Sequence, residues 1–247
     1  MQPGSLAVVA ARGKDAAPLL VAHRGAWEPT IPQNSLAAFE RAIAAGADAV
    51  ELDVRRTADG CMVVVHDARV RGRAVAKLEL VQLRERVKEG QAPLLEEVLE
   101  ALAGRIAVDV ELKEDGDVKQ AMAIVERRLA PDQYVVTSFR DAALATVKRT
   151  RPEARTGLLL SPARMSGDLD ERVTATGVDF IVPNARLSRG DVLGWAAARG
   201  LPSWVWTVNQ RRALRMALDD PLVAAVITDR PARARELAGS ATLRRAA

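Results

Sequence analysis

Only two histidines occur in the 247 residues, His23 and His66, and both sit in charged surroundings: Val-Ala-His23-Arg24-Gly25 and His66-Asp67. Three carboxylates stand at short spacings nearby in type, in Glu51-Leu-Asp53 and Glu111-Leu-Lys113. A spacing of two puts side chains on one face of a strand, so Glu51 joins Asp53, and Glu111 joins Lys113, while Val50, Leu52 and Val54 face the other way. Three carboxylates meeting at one place repel by roughly 4 kcal/mol per close pair at an effective dielectric near 20, so a cation has to join them. All-oxygen ligands suit a hard divalent ion, Mg2+ or Ca2+, better than zinc. Two imidazoles with ordinary pKa values of about 6.5 supply a general acid and a general base. Arg24 offers a planar fork and Lys113 a point charge to phosphate oxygens. Together these groups describe phosphoester chemistry. The competing reading is a structural network in which the same acids pair with Arg24, Lys113 and nearby arginines. A Gly-x-Gly-x-x-Gly turn after a strand, which hydride transfer would need, is missing from the sequence.

The elements that position these residues follow from periodicity. Short apolar or β-branched runs at 19–22, 47–53, 105–111, 133–138, 155–160, 178–182, 203–208 and 223–228 predict eight strands. Between them lie 3.6-periodic segments: one opened by Asn34 or Ser35 and closed by Gly46, one over Leu94 to Ala103 stopped by Gly104. Others start near Asp117, Asp141, Asp168, Asp191, Gln210 and Pro231. Eight strand-then-helix units without a linker predict one α/β domain over 1–247, a (β/α)8 TIM barrel with its core at about 18–238. A further run, Met62 to His66, follows the second strand too closely for a parallel crossover and has Thr57-Ala58-Asp59-Gly60 before it, so it is expected to return as an extra hairpin. That return carries His66 to the C-terminal mouth, where His23, Glu51, Asp53 and Glu111 already stand. Residues 1–17 and 239–247 read as poorly ordered ends.

Composition narrows the function. Hydrophobic residues at 49% and charged residues at 28% are globular values. Six lysines and thirty arginines oppose 32 acids for a net charge of only +4, interleaved along the chain, which argues against a nucleic-acid partner. The single Cys61 rules out an internal disulfide and a cysteine zinc cluster and fits a reducing compartment. No apolar run reaches the ~18 residues of a membrane span, and Leu6 to Ala11 is too short for a secretory signal. A cytoplasmic protein with a small-molecule substrate and no stable membrane insertion is expected; the oligomeric state stays open.

The stretch VAHRGAWEPTIPQNSLAAFERAIAAGADAVELDVRRTADGCMVVVHD, with its HRG turn, P-x-N-S helix start, E-x-D strand, D-G hairpin and His-Asp, resembles the opening of the glycerophosphodiester phosphodiesterase family. The likeness continues through PLLEEVLEAL, the Glu-Leu-Lys strand end, Ser138-Phe139, WTVN at 206–209 and ITDRP at 227–231. It implies a (β/α)8 barrel, a divalent metal on Glu51, Asp53 and Glu111, and catalytic His23 and His66. It also implies hydrolysis of glycerophosphodiesters to sn-glycerol 3-phosphate and an alcohol. Phospholipase D action on lysophospholipids or sphingolipids, and a catalytically silent phosphate-binding barrel, are the alternatives. Gln33 stands where the family usually has Glu, and an indirect effect on the site is expected of it. The short 68–93 stretch leaves no room for a large inserted subdomain. Trp27 and Trp206 are read as an apolar wall against the substrate, with barrel filling the other reading of Trp206. Arg55, Arg56, Arg69, Arg71 and Arg73 make the hairpin region basic.

Overall fold

The computed structural model describes residues 17–164, 167–189 and 191–245. Eight parallel strands form a ring: β1 (Leu19–His23), β2 (Ala49–Arg56), β3 (Ala107–Leu112), β4 (Tyr134–Ser138), β5 (Thr156–Leu160), β6 (Phe180–Pro183), β7 (Ser203–Val205) and β8 (Val223–Thr228). Each pairs with its neighbour in sequence, and β1 pairs with both β2 and β8, which closes the barrel. The helices are α1 (Leu36–Ala44), α2 (Leu80–Arg84), α3 (Leu95–Leu102), α4 (Val118–Arg128), α5 (Asp141–Thr150), α6 (Leu169–Thr176), α7 (Val192–Ala198), α8 (Arg211–Asp219) and α9 (Pro231–Arg245).

The strands are apolar on both faces because both are covered. Val50, Leu52, Val108 and Val110 pack outward with Phe39, Leu99 and Val125 of the helices. Leu19, Val21, Ala49, Ala107, Val135, Phe180 and Trp204 fill the interior. Phe180 and Trp204 stack there with ring centroids 4.7 Å apart. Their bulk requires a gap opposite: a Cβ on Gly157 would lie 2.3 Å from the Phe180 ring. Above this apolar floor the same inward alternation turns polar, through Glu51 and Asp53 on β2 and Asp109 and Glu111 on β3.

The expected extra hairpin is present. Met62–Val64 returns antiparallel to β2, with Val54 opposite Val64 and Arg56 opposite Met62. Gly60, at φ +85°, makes the turn. Residues 68–93 add a two-stranded ribbon (Arg69–Val70 with Arg73–Ala74) and the five-residue α2, neither of which the periodicity predicts, since both are shorter than a period can show.

One boundary needs correction. Residues 239–245, expected to be disordered, continue α9 to Arg245: Gly239 alone does not outweigh the Leu, Arg and Ala that follow it. Residues 1–16 and 246–247, part of the same expectation, lie outside the described residues.

The turn after β1 depends on one glycine. Gly25 has φ +81°, and a Cβ there would come within 2.7 Å of the Ala38 backbone, at the start of α1. Gly25→Ala is expected to cost about 2 kcal/mol or more in urea unfolding, from φ strain and the clash together. An unchanged midpoint would show that the turn can relax.

Candidate active site

The strand ends bring the acids together through register. His23 lies opposite Glu51, Glu51 opposite Asp109, and Asp53 opposite Glu111. One carboxylate oxygen from each of Glu51, Asp53 and Glu111 lies within 4.8 Å of the others, and all three residues are buried. Lys113 Nζ sits between two of them, 2.7 Å from Asp53 Oδ1 and 2.6 Å from Glu111 Oε1. Arg24 Nε approaches Asp53 Oδ2 at 3.2 Å. The salt-bridge network entertained as the competing reading therefore exists, but it leaves Glu51 out. Among the described residues Glu51 Oε2 accepts only the Arg24 backbone N–H, at 2.9 Å, and the buried Oε1 has no hydrogen-bond partner. A buried carboxylate oxygen aimed into a cluster of acids, without a donor, fits a cation that takes carboxylate ligands.

The electrostatics agree. Burial, reinforced by the charges of Asp53 and Glu111, holds the Glu51 carboxyl well above the usual range. Burial pushes Glu111 up to about 7 in spite of Lys113, and Asp109 up to about 8 in spite of its hydrogen bond from Thr137. Asp53 goes the other way: burial would raise it, but Lys113 and Arg24 hold it below the carboxylate range. Four acids thus face two cations in one dry place, and not all of them ionise without further positive charge.

Loops fix the rest. Asn34, at φ +57°, donates Nδ2 to Asp53 Oδ2 at 2.6 Å, and the next residue, Ser35, caps α1 through the Ala38 N–H. Gln33 Oε1 accepts Arg24 Nη1 at 2.9 Å, so its effect on the site is to orient the guanidinium. His23 Nδ1 is 2.7 Å from Asp229 Oδ1. Burial would raise Asp229, but the hydrogen bond and charge of His23 lower it. An ionised Asp229 can only accept, so Nδ1 of His23 carries the proton and Nε2 is left for chemistry. Asn209 holds Asp229 from the other side, donating Nδ2 to Oδ2 at 2.5 Å and accepting the Asp229 backbone N–H at 2.9 Å. His66 Nδ1 is paired in the same manner, 2.8 Å from Asp67 Oδ1. Burial, together with Lys113 and Arg24, lowers the His66 pKa against the pull of Asp53.

A cavity of about 80 Å3 opens over this cluster, and His23, Arg24, Glu51, His66, Glu111, Lys113 and Trp206 all line it, with Asp53 beneath. The two histidines, the three acids, Arg24, Lys113 and Trp206 are thus in one place. Trp206 lines the cavity, set edge-on to Phe139 at 5.4 Å, and also packs against the interior cluster that holds Trp204, so it joins wall and barrel filling. Trp27 is not part of that wall: its indole N–H is directed to Asp229 at 3.2 Å, which makes it a support for the His23 pair. Asp229, Asn209, Asn34 and Asp109 carry weight in the site that the sequence reading did not assign. Asp109 was within reach of the two-residue rule, in Asp109-Val-Glu111. Asp229 and Asn209 stood inside quoted motifs, but only ring closure brings them to a histidine some 200 positions away.

No helix among the described residues is long and apolar enough to cross a membrane. The described Glycerophosphoryl diester phosphodiesterase family matches residues 23–233. The glycerophosphodiester phosphodiesterase of Caldanaerobacter subterraneus subsp. tengcongensis is 27% identical over 238 residues, covering 86% of this chain and 94% of its own. A Mycobacterium tuberculosis protein named probable glycerophosphodiester phosphodiesterase 2 is 31% identical over 86% of this chain and 87% of its own. Two solved structures share the fold at 24% identity. One, a putative glycerophosphoryl diester phosphodiesterase from Silicibacter pomeroyi, has a TM-score of 0.80 over 96% of this chain and 98% of that one. The other, an Oleispira antarctica phosphodiesterase solved with the product sn-glycerol-3-phosphate, has a TM-score of 0.74 over 90% and 96%. With a match that begins at His23 and runs through both histidines and all three acids, the chain belongs to the glycerophosphoryl diester phosphodiesterase family.

Proposed function

We propose that this chain hydrolyses glycerophosphodiesters to sn-glycerol 3-phosphate and an alcohol, with Glu51, Asp53 and Glu111 as ligands of a divalent ion, Mg2+ or Ca2+. The observation that supports it most is the convergence of the only two histidines and three buried carboxylates on one small cavity. When bound, such an ion neutralises the acids and polarises a phosphoryl oxygen. Arg24 and Lys113 bind the remaining phosphate oxygens, and they must share themselves between substrate and the acids they now pair with. One histidine withdraws the nucleophile's proton and the other gives a proton to the departing alkoxide, each through Nε2, because a carboxylate occupies Nδ1 in both. Asp229 and Asp67 are positioning residues in this scheme. Trp206 and Phe139 wall one side of the site against water. The half-buried lone Cys61 accords with a cytoplasmic setting.

The test is a direct comparison of glycerophosphocholine with lysophosphatidylcholine, each with Mg2+, with Ca2+ and with a chelator. Release of sn-glycerol 3-phosphate from glycerophosphocholine, dependent on the ion, is expected. A strong preference for the lysolipid would overturn the substrate assignment in favour of phospholipase D action, and tight binding of glycerol 3-phosphate without turnover would indicate a silent barrel.

A further inference from the structure

His66 lines a second cavity as well as the one over the carboxylates. At about 320 Å3 this space is larger than the one over the carboxylates, and it is enclosed by the hairpin return, the small ribbon and the segment after α2. Its cationic lining comes from separate elements that converge on it: Arg71 at the tip of the ribbon, and Arg86 and Lys88 from the segment after α2. Arg71 and Lys88 have no ion pair among the described residues, whereas Arg86 donates Nη1 to the Gln82 carbonyl at 2.8 Å and lies 3.8 Å from Glu85. Asp67, already engaged with His66, is the one acid in the lining. Gln33 and Gln91 add amides, and Val64, Val65, Val70 and Val87 add apolar wall. Arg71 also occupies a left-handed turn position, φ +46°, where Gly or Asn would cost less, so the backbone bears some strain in presenting a guanidinium there.

Resting on the proposed diesterase reading, we propose that this cavity is the subsite for the alcohol arm of the diester, and that Arg71, Arg86 and Lys88 select an arm bearing a second phosphate. A diester whose phosphorus lies over Glu51, Asp53 and Glu111 has one arm to extend past His66, and the space beyond receives it. Three cations against one paired acid favour an arm that carries a phosphate over one that carries no charge. The unpaired Arg71 and Lys88 give up no existing bond to engage the ligand, so their interaction with a phosphate is not offset by a broken pair.

The test compares two diesters that differ only in charge at the far end of the arm: glycerophosphoglycerol, and the same compound phosphorylated on its terminal hydroxyl. The wild type is expected to favour the phosphorylated arm by about tenfold in kcat/KM at low salt, with the preference shrinking as salt rises. Arg71→Ala/Lys88→Ala, which removes no ion pair seen among the described residues, is expected to bring the ratio of the two kcat/KM values to about one. A wild type that ignores the charge of the arm, or a variant that keeps the preference, would overturn the subsite. Calorimetric binding of glycerol 1,3-bisphosphate against glycerol 1-phosphate separates this result from the fate of the diesterase reading. Tighter binding of the bisphosphate that the variant loses upholds the cationic subsite even without turnover, and equal binding by wild type and variant defeats it.

Discussion

Replacement of either imidazole, in His23→Ala or His66→Ala, is expected to lower kcat on glycerophosphocholine by about 10²- to 10⁴-fold, the usual worth of a positioned acid or base. The two rings line one cavity, and in each the Nδ1 is paired to a carboxylate, so neither has a substitute within reach. Folding should survive, because both side chains are partly exposed at the mouth rather than packed in the core. A companion substitution separates positioning from bulk: Asp229→Asn keeps the shape around His23, but an amide can present a donor to Nδ1 and so favour the tautomer protonated at Nε2. A fall in kcat with KM unchanged is the expected signature. Near-normal turnover by His66→Ala would remove it from the acid/base pair.

The second large effect concerns the ion. Millimolar Mg2+ or Ca2+ is expected to raise the Tm, by the equivalent of about 2.7 kcal/mol once the free ion reaches a hundred times its Kd, and chelation is expected to abolish activity. Glu51→Gln is the decisive variant. Glu51 makes no side-chain ion pair among the described residues, so its loss should erase the Tm response to the ion while leaving the ion-free protein as stable as before, or more so. Glu111→Gln should also erase the response, but at a cost in ion-free stability, because Lys113 loses a partner. If the cluster served only as salt bridges, the Tm would ignore the ion in every variant. Acidity gives a second readout. Glu111 at about 7 and Asp109 at about 8, both raised chiefly by burial from ordinary values of 4.5 and 3.8, bind more protons folded than unfolded. Their contribution is therefore complete below the unfolded values and is lost as pH climbs through the folded ones, so the ion-free protein should weaken between roughly pH 4 and 8. Bound ion should flatten that slope.

What the sequence disclosed divides along a physical line. Strands, outer helices and the hairpin return were legible because they rest on local period and turn chemistry, and Glu51, Asp53, Glu111 and Lys113 because a spacing of two has one meaning on a strand. Partnerships that depend on ring closure, His23 with Asp229 and Trp27 with Asp229, were not legible, and neither was Asn34 with Asp53, which needs Asn34 held at a left-handed φ. The extent of α9 was underestimated, because the helix formers after Gly239 carry it on to Arg245. Within 68–93, elements of two to five residues carry no period, and so the second cavity could not be foreseen from the basic character of that stretch alone.

The pairing of β1 with both β2 and β8 sets an order of assembly. Glu51, Asp53 and Glu111 lie on neighbouring strands in the first half of the chain, so the acidic cluster can gather as soon as those strands meet. His23 receives Asp229 only when the last strand docks against the first, a contact 206 positions long and therefore among the slowest to form. During synthesis the acidic cluster precedes the oriented histidine by nearly half the length of the polypeptide. A chain still on the ribosome, or stalled before its eighth strand, would thus have its acids gathered while lacking the oriented His23, and the proposed hydrolysis would begin only with closure of the ring.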